Sequence, residues 1–383
     1  MRASEANTGM ARIYVAATEQ HAGKTTICVG LYQAALERGL KACFIKPVGQ
    51  RYVMEEDEQV DEDAVLFKRA LAAGGRLKDL SPVTVPRGFT QDYIFHRDPQ
   101  SIYGPILTAI KSVEEGQDLT IIEGTGHAGV GACLDASNAQ VAKLLGAKCV
   151  IVTGGGVGRC IDELALNQAL FDRHGVLVIG AVVNKVYEDK YDKVSAAVRQ
   201  GLANIGMECV GVVPYRRELT YPTMVQIQEE YGLEVLCGGA YLTNKVRNII
   251  VAAMTPQNMI NYLGEGTLVV VPGDRVDNIL ASLNAHLMTE KSSAPRIAGL
   301  LLTGGFVPHI AIINILCEVD VPVLLTDDDT AAAALKVDSL VPKITARDTD
   351  KIALAERTVK EHVDVARIFQ AVGLPPAAGA ATA

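Results

Sequence analysis

The stretch that decides the fold runs from Ile13 to Thr26 and reads Ile-Tyr-Val-Ala-Ala-Thr-Glu-Gln-His-Ala-Gly-Lys-Thr-Thr. It predicts a buried strand, Ile13–Ala16, then a loop and a helix that opens at Gly-Lys-Thr. The backbone N–H groups of such a loop and the N-terminus of the helix face an anion. Lys24 would add a point charge for the outer phosphates of a nucleotide, and Thr25 would offer a hydroxyl to a magnesium ion. The predicted nucleotide contacts are Gln20, His21, Ala22, Gly23, Lys24, Thr25 and Thr26.

The loop departs from the general phosphate-loop template at its first glycine. The template places a glycine where this chain has Thr18, and a longer variant would place it at Ala17. The strand before the loop and the helix after it are what make the Gly-Lys-Thr sequence specific. The competing interpretation is a helix that merely happens to begin with Gly-Lys-Thr.

Composition limits the class of protein. The chain has 383 residues and a formal net charge of −8, and its lysines and arginines are scattered rather than clustered. That balance disfavours a nucleic-acid partner, which usually requires a basic surface. The polar N-terminus lacks the apolar core of a signal peptide, and the longest apolar run, Val176–Val183, is far shorter than the roughly 20 residues that span a bilayer. We therefore expect a soluble, cytoplasmic protein without a membrane partner.

Short apolar runs alternate with helical patterns over residues 11–214 and again after residue 222. The runs are apolar on consecutive residues, which is typical of parallel strands covered on both faces. In the first part they are Ile13–Ala16, Ala42–Ile45, Leu119–Ile122, Cys149–Val152, Val176–Val183 and Cys209–Val213. We therefore predict an α/β protein with a doubly wound, mostly parallel sheet, followed by a smaller α/β domain and a C-terminal helix.

The polar stretch Tyr215–Pro222 is the predicted domain boundary. We place a nucleotide-binding domain at residues 11–220 and a second domain at 221–345. Residues 346–372 are assigned to the C-terminal helix, whose apolar positions over about Thr349–Val372 mark one broad face. Residues 373–383 are small and featureless, and we predict that this tail is disordered.

Two polar residues follow predicted strands at the edge where open α/β sheets bind ligands. Lys46 stands at the carboxyl end of Ala42–Ile45, and the alternative for it is a solvated lysine in a turn. Glu123 ends the apolar strand before Gly-Thr-Gly-His, where an acid is costly unless it is paired or holds a metal. In a phosphate-loop protein such an acid usually holds magnesium. His127 could contact a phosphate or substrate, or it could equally be a hydrogen-bonded structural residue.

A third acidic segment, Asp61-Glu62-Asp63-Ala64, lies directly before a predicted helix. One of its carboxylates could be the N-cap of that helix. It could also be a second magnesium ligand, and this interpretation depends on the resemblance described next.

Several of these motifs together resemble the dethiobiotin synthetases, over residues 11 to about 220. The matching segments, in order and spacing, are Val15–Thr25, Lys46-Pro47-Val48, Asp63-Ala64, Glu123-Gly124-Thr125-Gly126, Asn184 and Gly211-Val212-Val213-Pro214. The resemblance implies a P-loop fold that binds ATP and Mg²⁺. The implied site has Lys24 and Lys46 as catalytic residues, Asn184 and Pro214 beside the phosphate loop as nucleotide-binding residues, and Thr25, Asp63 and Glu123 as metal ligands.

The departures from that family fall on the substrate side of its site. Gln20 replaces a threonine in the loop, Gln50 replaces a serine after Lys-Pro-Val, and the segment that receives the diamine has no counterpart. We therefore expect nucleotide binding to be retained and biotin-pathway chemistry to be lost.

A second resemblance covers nearly the whole chain. Glu123–Gly131 followed by Asp135–Ala139 is similar to the region that precedes the catalytic domain in long phosphotransacetylases. Gly273-Asp274-Arg275 and Thr303-Gly304-Gly305 carry the residues after which the DRTGG domain is named. The resemblance implies the regulatory half standing alone, without the acyltransferase domain and without acetyl phosphate synthesis. Asp274-Arg275 could bind an anionic effector or form an ion pair, and Thr303-Gly304-Gly305 could serve a ligand or a tight reversal. We favour the structural alternative for both.

The sequence therefore predicts a regulatory or sensory protein that binds Mg-ATP. The alternative is an ATP-dependent ligase or carboxylase that acts on an unknown amine or acid. A third interpretation is a structural adaptor whose site has decayed, with Ala17 as the sign of it. We expect a nucleotide and a small-molecule effector as ligands, and a homo-oligomer, because the long C-terminal helix offers an interface.

Overall fold

The computed structural model describes residues 10–288 and 296–376. These residues divide into two compact units. The first unit contains the chain up to Arg216 together with the segment from Ile344 onward, and the second runs from Arg217 to Lys343. The disorder predicted for 373–383 concerns mainly residues 377–383, which lie outside the described residues.

The first unit is built on a parallel sheet. Its strands are β1 Ala11–Ala17, β2 Ala42–Ile45, β3 Val48–Gly49, β4 Tyr52–Glu55, β5 Glu58–Asp61, β6 Val83–Thr84, β7 Leu119–Glu123, β8 Lys148–Thr153, β9 Val178–Val186 and β10 Cys209–Pro214. Six of them form the main sheet in the order β10-β9-β8-β1-β7-β2, with every pair parallel. This confirms the predicted doubly wound sheet, whose central strands are buried because helices cover both faces.

Helices follow the strands in the alternating pattern. They are α1 Lys24–Glu37, α2 Glu62–Ala70, α3 Leu77–Leu80, α4 Phe89–Phe95, α5 Pro99–Val113, α6 Asn138–Leu144, α7 Gly158–Arg173 and α8 Tyr191–Asn204. Local capping fixes where several begin. The Asp61 carboxylate accepts the N–H of Asp63 at the start of α2, and Ser137 and Gln140 form a reciprocal capping box at the start of α6.

A β-hairpin carries an acidic segment toward the main sheet. β4 and β5 pair in antiparallel fashion, and Glu56 and Asp57 turn between them with positive φ angles of 53° and 62°. Two successive positive φ angles are the geometry of the two-residue turn that matches strand twist. The hairpin ends at Asp61, so it determines where Asp61 and Asp63 stand.

The second unit has a mixed five-stranded sheet. Its strands are β11 Glu234–Cys237, β12 Asn248–Val251, β13 Thr267–Pro272, β14 Ile297–Thr303 and β15 Val323–Leu325, in the order β11-β15-β14-β13-β12. Its helices are α9 Met224–Tyr231, α10 Pro256–Met259, α11 Val276–Leu287, α12 Ile310–Cys317 and α13 Thr330–Asp338. β11 is antiparallel to β15, and the other pairs are parallel. Apolar clusters cover both faces of the sheet, which makes this the smaller α/β unit expected from the sequence.

The C-terminal segment differs from the single helix expected over Thr349–Val372. It forms α14 Thr349–His362 and α15 Val365–Ala371. Between them Val363 is extended and forms an antiparallel bridge with Gly211, while the Asp364 N–H donates to Val210 O at 2.7 Å. The prediction of one helix was wrong because backbone hydrogen bonds to β10 interrupt it.

None of the helices within residues 10–288 and 296–376 combines the length and the apolar character needed to cross a membrane.

Candidate functional site

The loop between β1 and α1 has the geometry of a phosphate loop. Gly23 is left-handed (φ 103°), and a Cβ at this position would lie 2.1 Å from Asn184 Nδ2. At the start of the loop, the Thr18 N–H donates to Val152 O at 2.9 Å. Because α1 begins at Lys24, Lys24 and Thr25 both stand on its first turn. The strand, loop and helix expected from the sequence are therefore present, and glycine is required at position 23.

The carboxyl end of β9 holds this loop from one side. Asn184 Nδ2 donates to Ala22 O at 2.8 Å, and Lys185 Nζ donates to His21 O at 2.7 Å. In a planar trans peptide the C=O and the following N–H point in opposite directions. Engaging the carbonyls of His21 and Ala22 therefore turns the N–H groups of Ala22 and Gly23 away from β9. This is the orientation that a loop needs in order to present N–H groups to an anion.

A buried cluster of charges lies beside the first turn of α1. Lys46 Nζ forms an ion pair with Asp63, lies 3.1 Å from Asp61 Oδ1 and lies 3.6 Å from Glu123 Oε1. The four side chains are each no more than 7% exposed. The structure thus brings Lys46, Asp63 and Glu123 together, as the predicted site requires, and adds Asp61 to them.

Thr25 connects the phosphate loop to this cluster. Its Oγ1 lies 3.0 Å from Glu123 Oε1 and 3.4 Å from Asp63 Oδ1. Glu123 is in place because β7 pairs with β1 in a register that sets Glu123 opposite Val15. The three predicted metal ligands therefore come from α1, α2 and β7 to one point.

Burial and neighbouring charges act differently on the two lysines of the site. For Lys24, loss of hydration lowers the pKa, although the Glu123 carboxylate opposes this effect. For Lys46, burial also acts to lower the pKa, but the carboxylates of Asp63, Glu123 and Asp61 together raise it well above the ordinary value. Lys46 is therefore a permanent ammonium at neutral pH.

The donors around Thr25 suit magnesium in kind. One hydroxyl and two carboxylates are oxygen ligands, which Mg²⁺ prefers. Within residues 10–288 and 296–376, however, no group of three or more His, Cys, Asp and Glu side chains is arranged to hold a metal ion. A magnesium ion at Thr25, Asp63 and Glu123 would therefore draw further ligands from phosphate oxygens and water.

The other residues of the predicted site occupy more varied positions. Gln20 and His21 are exposed on the loop, and Thr26 is buried in α1. His127 is also exposed, and its Nδ1 lies 3.2 Å from the Gly129 N–H that donates to it. Pro214 is buried at the end of β10, which β9 and β8 separate from β1.

Asn138, at the start of α6, was not predicted as a site residue. Its Oδ1 accepts from Tyr14 Oη at 2.8 Å and from the Thr125 N–H at 2.9 Å, while its Nδ2 donates to the carbonyls of Thr125 and His127. A Cβ on Gly124 would lie 2.6 Å from Asn138 Oδ1. Asn138 therefore fixes the loop that follows Glu123, and its place in the Asp135–Ala139 motif was the available signal.

A narrow pocket lies beside Glu123. It is lined by Tyr14, Gln50, Glu123, Thr125 and Asn138, among others. Gln50 is one of the positions where the sequence departs from the dethiobiotin synthetases. The structure thus places that departure in a pocket next to the acidic cluster.

The parallel sheet, the phosphate loop and the acid at the end of the neighbouring strand together define a P-loop domain. A family model described as an AAA domain (AAA_26) matches residues 11–223, and the chain belongs to this family. A second model, described as a DRTGG domain, matches residues 226–340. The predicted succession of a P-loop domain and a DRTGG domain is thereby confirmed.

Curated relatives extend the similarity over most of the chain. A phosphate acetyltransferase of Nitratidesulfovibrio vulgaris is 29% identical over 92% of this chain and 50% of its own length. One of Pseudomonas putida is 27% identical over 96% of this chain and 52% of its own length. The chain thus spans about half the length of the curated relatives it matches.

Similarity to solved structures is weaker. The MinD cell division protein of Aquifex aeolicus is 14% identical, with a TM-score of 0.35 over 54% of this chain and 83% of that chain. The CBS and DRTGG domains of a Clostridium perfringens pyrophosphatase are 17% identical, with a TM-score of 0.24 over 36% of this chain and 60% of that chain. The fold is defined instead by the strand order and register of this chain.

Proposed function

We propose that this protein binds Mg-ATP in its first unit and acts as a regulatory or sensory protein. The observation that carries the proposal is the convergence of Lys24, Thr25, Asp63 and Glu123 at one end of α1. Such a group of buried charges is costly to keep unless a ligand or a metal uses it. The bound nucleotide would change the affinity for a partner or for a second copy of the chain.

Each residue has a physical role in this proposal. Lys24 neutralises the outer phosphates, while the N–H groups of the loop, oriented by Asn184 and Lys185, bind the inner ones. Thr25, Asp63 and Glu123 would hold the magnesium ion. When bound, that ion neutralises phosphate charge.

One observation favours regulation over a biosynthetic activity. The departures at Gln20 and Gln50 fall on the loop and on the adjacent pocket, while the phosphate and metal positions are retained. The proposal includes a cytoplasmic location and a homo-oligomer, on the sequence arguments given above.

An ATP-dependent ligase or carboxylase is the second candidate, and the retained Lys46 favours it. Lys46 is a permanent ammonium at this edge of the sheet. The pocket beside Glu123 has a volume of about 10 Å³, room for about one water molecule, so it would have to widen to receive a small amine or acid. In such an enzyme Lys24 and Lys46 would stabilise the charge that develops on the transferred group.

Calorimetric titration of Mg-ATP into the wild type and Lys24→Ala tests the first proposal. We expect saturable binding by the wild type and a loss of at least about tenfold in affinity for Lys24→Ala, because a charge-assisted contact to phosphate is removed. Lys190→Ala, a change of the same kind at an exposed lysine, should bind like the wild type. Equal affinity of wild type and Lys24→Ala, or no binding by either, would refute the proposal.

Phosphate release separates the two candidates. The wild type is incubated with Mg-ATP, bicarbonate and a panel of diamines, amino acids and dicarboxylic acids. A regulatory protein should release phosphate at the same slow rate throughout the panel. Strong stimulation by one compound, lost in Lys46→Met, would establish the ligase instead.

A further inference from the structure

The ammonium of Lys46 occupies the centre of the carboxylates that the proposed function assigns to magnesium. It is paired with Asp63 and lies 3.6 Å from Glu123 Oε1, while the Thr25 hydroxyl lies 3.0 Å from that same Glu123 oxygen. Asp61 completes the surroundings of the ammonium at 3.1 Å. The Lys46 ammonium and a bound metal ion would thus compete for Asp63 and Glu123, whose charges also act on Lys24.

The charges explain why both cations cannot be held equally well. Three carboxylates surround Lys46, and each of the four side chains is almost fully buried. A buried carboxylate requires partners of opposite charge, and in this arrangement the Lys46 ammonium is the one that all three carboxylates share. A divalent ion at Thr25 would lie within a few ångströms of a permanent positive charge, and the repulsion is strong where water is excluded.

We propose that Lys46 is a built-in counter-ion that keeps Asp63 and Glu123 from binding a divalent metal until nucleotide phosphates are present. The anionic phosphates draw the ammonium away from the acids or offset its repulsion, so that metal and nucleotide bind together. This inference rests on the proposed function, and it makes the protein respond to the metal–nucleotide complex rather than to free Mg²⁺.

The test measures metal binding without any nucleotide. Mn²⁺ is titrated into wild type and Lys46→Met and followed by electron paramagnetic resonance of the free ion. We expect Lys46→Met to bind at least ~10-fold more tightly than the wild type, because a like charge is removed from the site. Adding ADP should tighten Mn²⁺ binding by the wild type and have a smaller effect on the variant.

Thermal unfolding provides a second readout with a matched control. The melting temperature of Lys46→Met should be lower than that of the wild type and should rise with MgCl₂ relative to choline chloride of equal ionic strength. Lys351→Met removes another buried lysine of the same unit, which lies 3.6 Å from Asp348. That variant should be destabilised without any rescue by Mg²⁺, and Lys46→Arg should show no rescue either.

The outcomes separate this inference from the proposed function. Mn²⁺ binding by the nucleotide-free wild type that equals binding by Lys46→Met would overturn the inference, as would equal rescue of Lys351→Met by MgCl₂. If Lys46→Met does not fold, tight Mn²⁺ binding by the nucleotide-free wild type still overturns it, and binding that requires ADP supports it. If the wild type binds no Mg-ATP, the proposed function fails even where Lys46→Met gains metal affinity.

Discussion

The carboxyl ends of the strands carry a buried cluster of charges in the first unit, whereas those of the second unit are joined by backbone hydrogen bonds, a hydroxyl pair and an exposed ion pair. Lys46 and the three carboxylates around it are shielded from solvent. At the end of β14, by contrast, the Gly304 and Gly305 N–H groups donate to the carbonyls of Asp328 and Thr326. The glycine-containing loops that follow Glu123 and Thr303 therefore differ in whether charge is buried beside them.

In the second unit, the residues that name the DRTGG motif make local contacts with one another's neighbours. Arg275 pairs with Asp277, two positions further on, at 2.9 Å near the surface, and Thr303 shares a hydrogen bond with Thr330 at 2.7 Å. The Arg275–Asp277 pair is local rather than an ion pair across the domain, and the contacts of Thr303, Gly304 and Gly305 are compatible with a tight reversal of the chain. A buried, mutually dependent set of charges is the stronger indication of a ligand.

The largest expected effect comes from removing the central charge of the first unit. Lys46→Met leaves three buried carboxylates without their ammonium and should lower the free energy of unfolding by about 3–5 kcal/mol. Lys336→Met breaks the exposed pair with Asp328 in the second unit and should leave stability unchanged within error. Chemical denaturation of both variants measures this difference in the free energy of unfolding. Equal losses in the two variants would contradict the contrast between the units.

A glycine of the second unit should be the next most sensitive position. A Cβ at Gly273 would lie 1.7 Å from Phe306 O, so Gly273→Ala must displace backbone and should cost about 2–3 kcal/mol. Gly239→Ala, with open space around its Cβ, is the control. If the turn at Gly273 is purely structural, urea unfolding of Gly273→Ala detects the loss of stability while the affinity for Mg-ATP is unchanged. A parallel loss of affinity in the folded variant would contradict this view of the loop.

The two hydrogen bonds from β9 to the phosphate loop predict a smaller effect, on the affinity for phosphate ligands. Asn184→Ala removes one hydrogen bond to Ala22 O and should weaken pyrophosphate binding about fivefold, corresponding to about 1 kcal/mol. Lys185→Met should act similarly through His21 O, with rescue by Lys185→Arg. Calorimetry with pyrophosphate and with ADP distinguishes two roles for Asn184. Equal losses for pyrophosphate and ADP indicate loop positioning, whereas a loss for ADP alone would assign Asn184 to the adenine.

The smallest effect concerns pH and the C-terminal segment. Burial lowers the pKa of His362. The Glu361 carboxylate opposes this shift and the Arg216 guanidinium adds to it. The Tyr191 hydroxyl lies 3.2 Å from His362 Nδ1. Because the folded pKa is below the unfolded value of about 6.5, the unfolded chain takes up the proton more readily, and stability should fall as pH falls below about 6.5. His362→Gln should flatten this part of a stability–pH profile measured by chemical denaturation.

Local patterns were sufficient for the parallel sheet and the phosphate loop. Consecutive apolar residues identified β1, β2, β7, β8 and β10 within a residue or two, because strands buried on both faces leave little ambiguity. The Gly-Lys-Thr at Gly23 located the start of α1, and the acid at the end of β7 followed from its cost in an apolar strand.

Contacts between distant parts of the chain account for what the sequence did not indicate. The hairpin β4–β5 is mostly polar and exposed, so it has no apolar alternation to mark it. Asp61 was considered with Asp63 as either a cap or a metal ligand. The structure shows that Asp61 caps α2 with one oxygen and also lies near Lys46, which no local pattern encodes. Similarly, the break at Val363 depends on β10.

The close packing of α14 on α1 makes the first unit discontinuous in the chain. A Cβ on Gly30 would lie 2.2 Å from Val359 Cβ, so the helix that follows the phosphate loop is covered by residues that come after the whole second unit. Residues 10–216 expressed alone would leave an apolar flank of α1 in water and should aggregate. Adding residues 344–376 as a separate peptide should restore solubility. The first unit is thus finished only when residues 344–376 have also been synthesised.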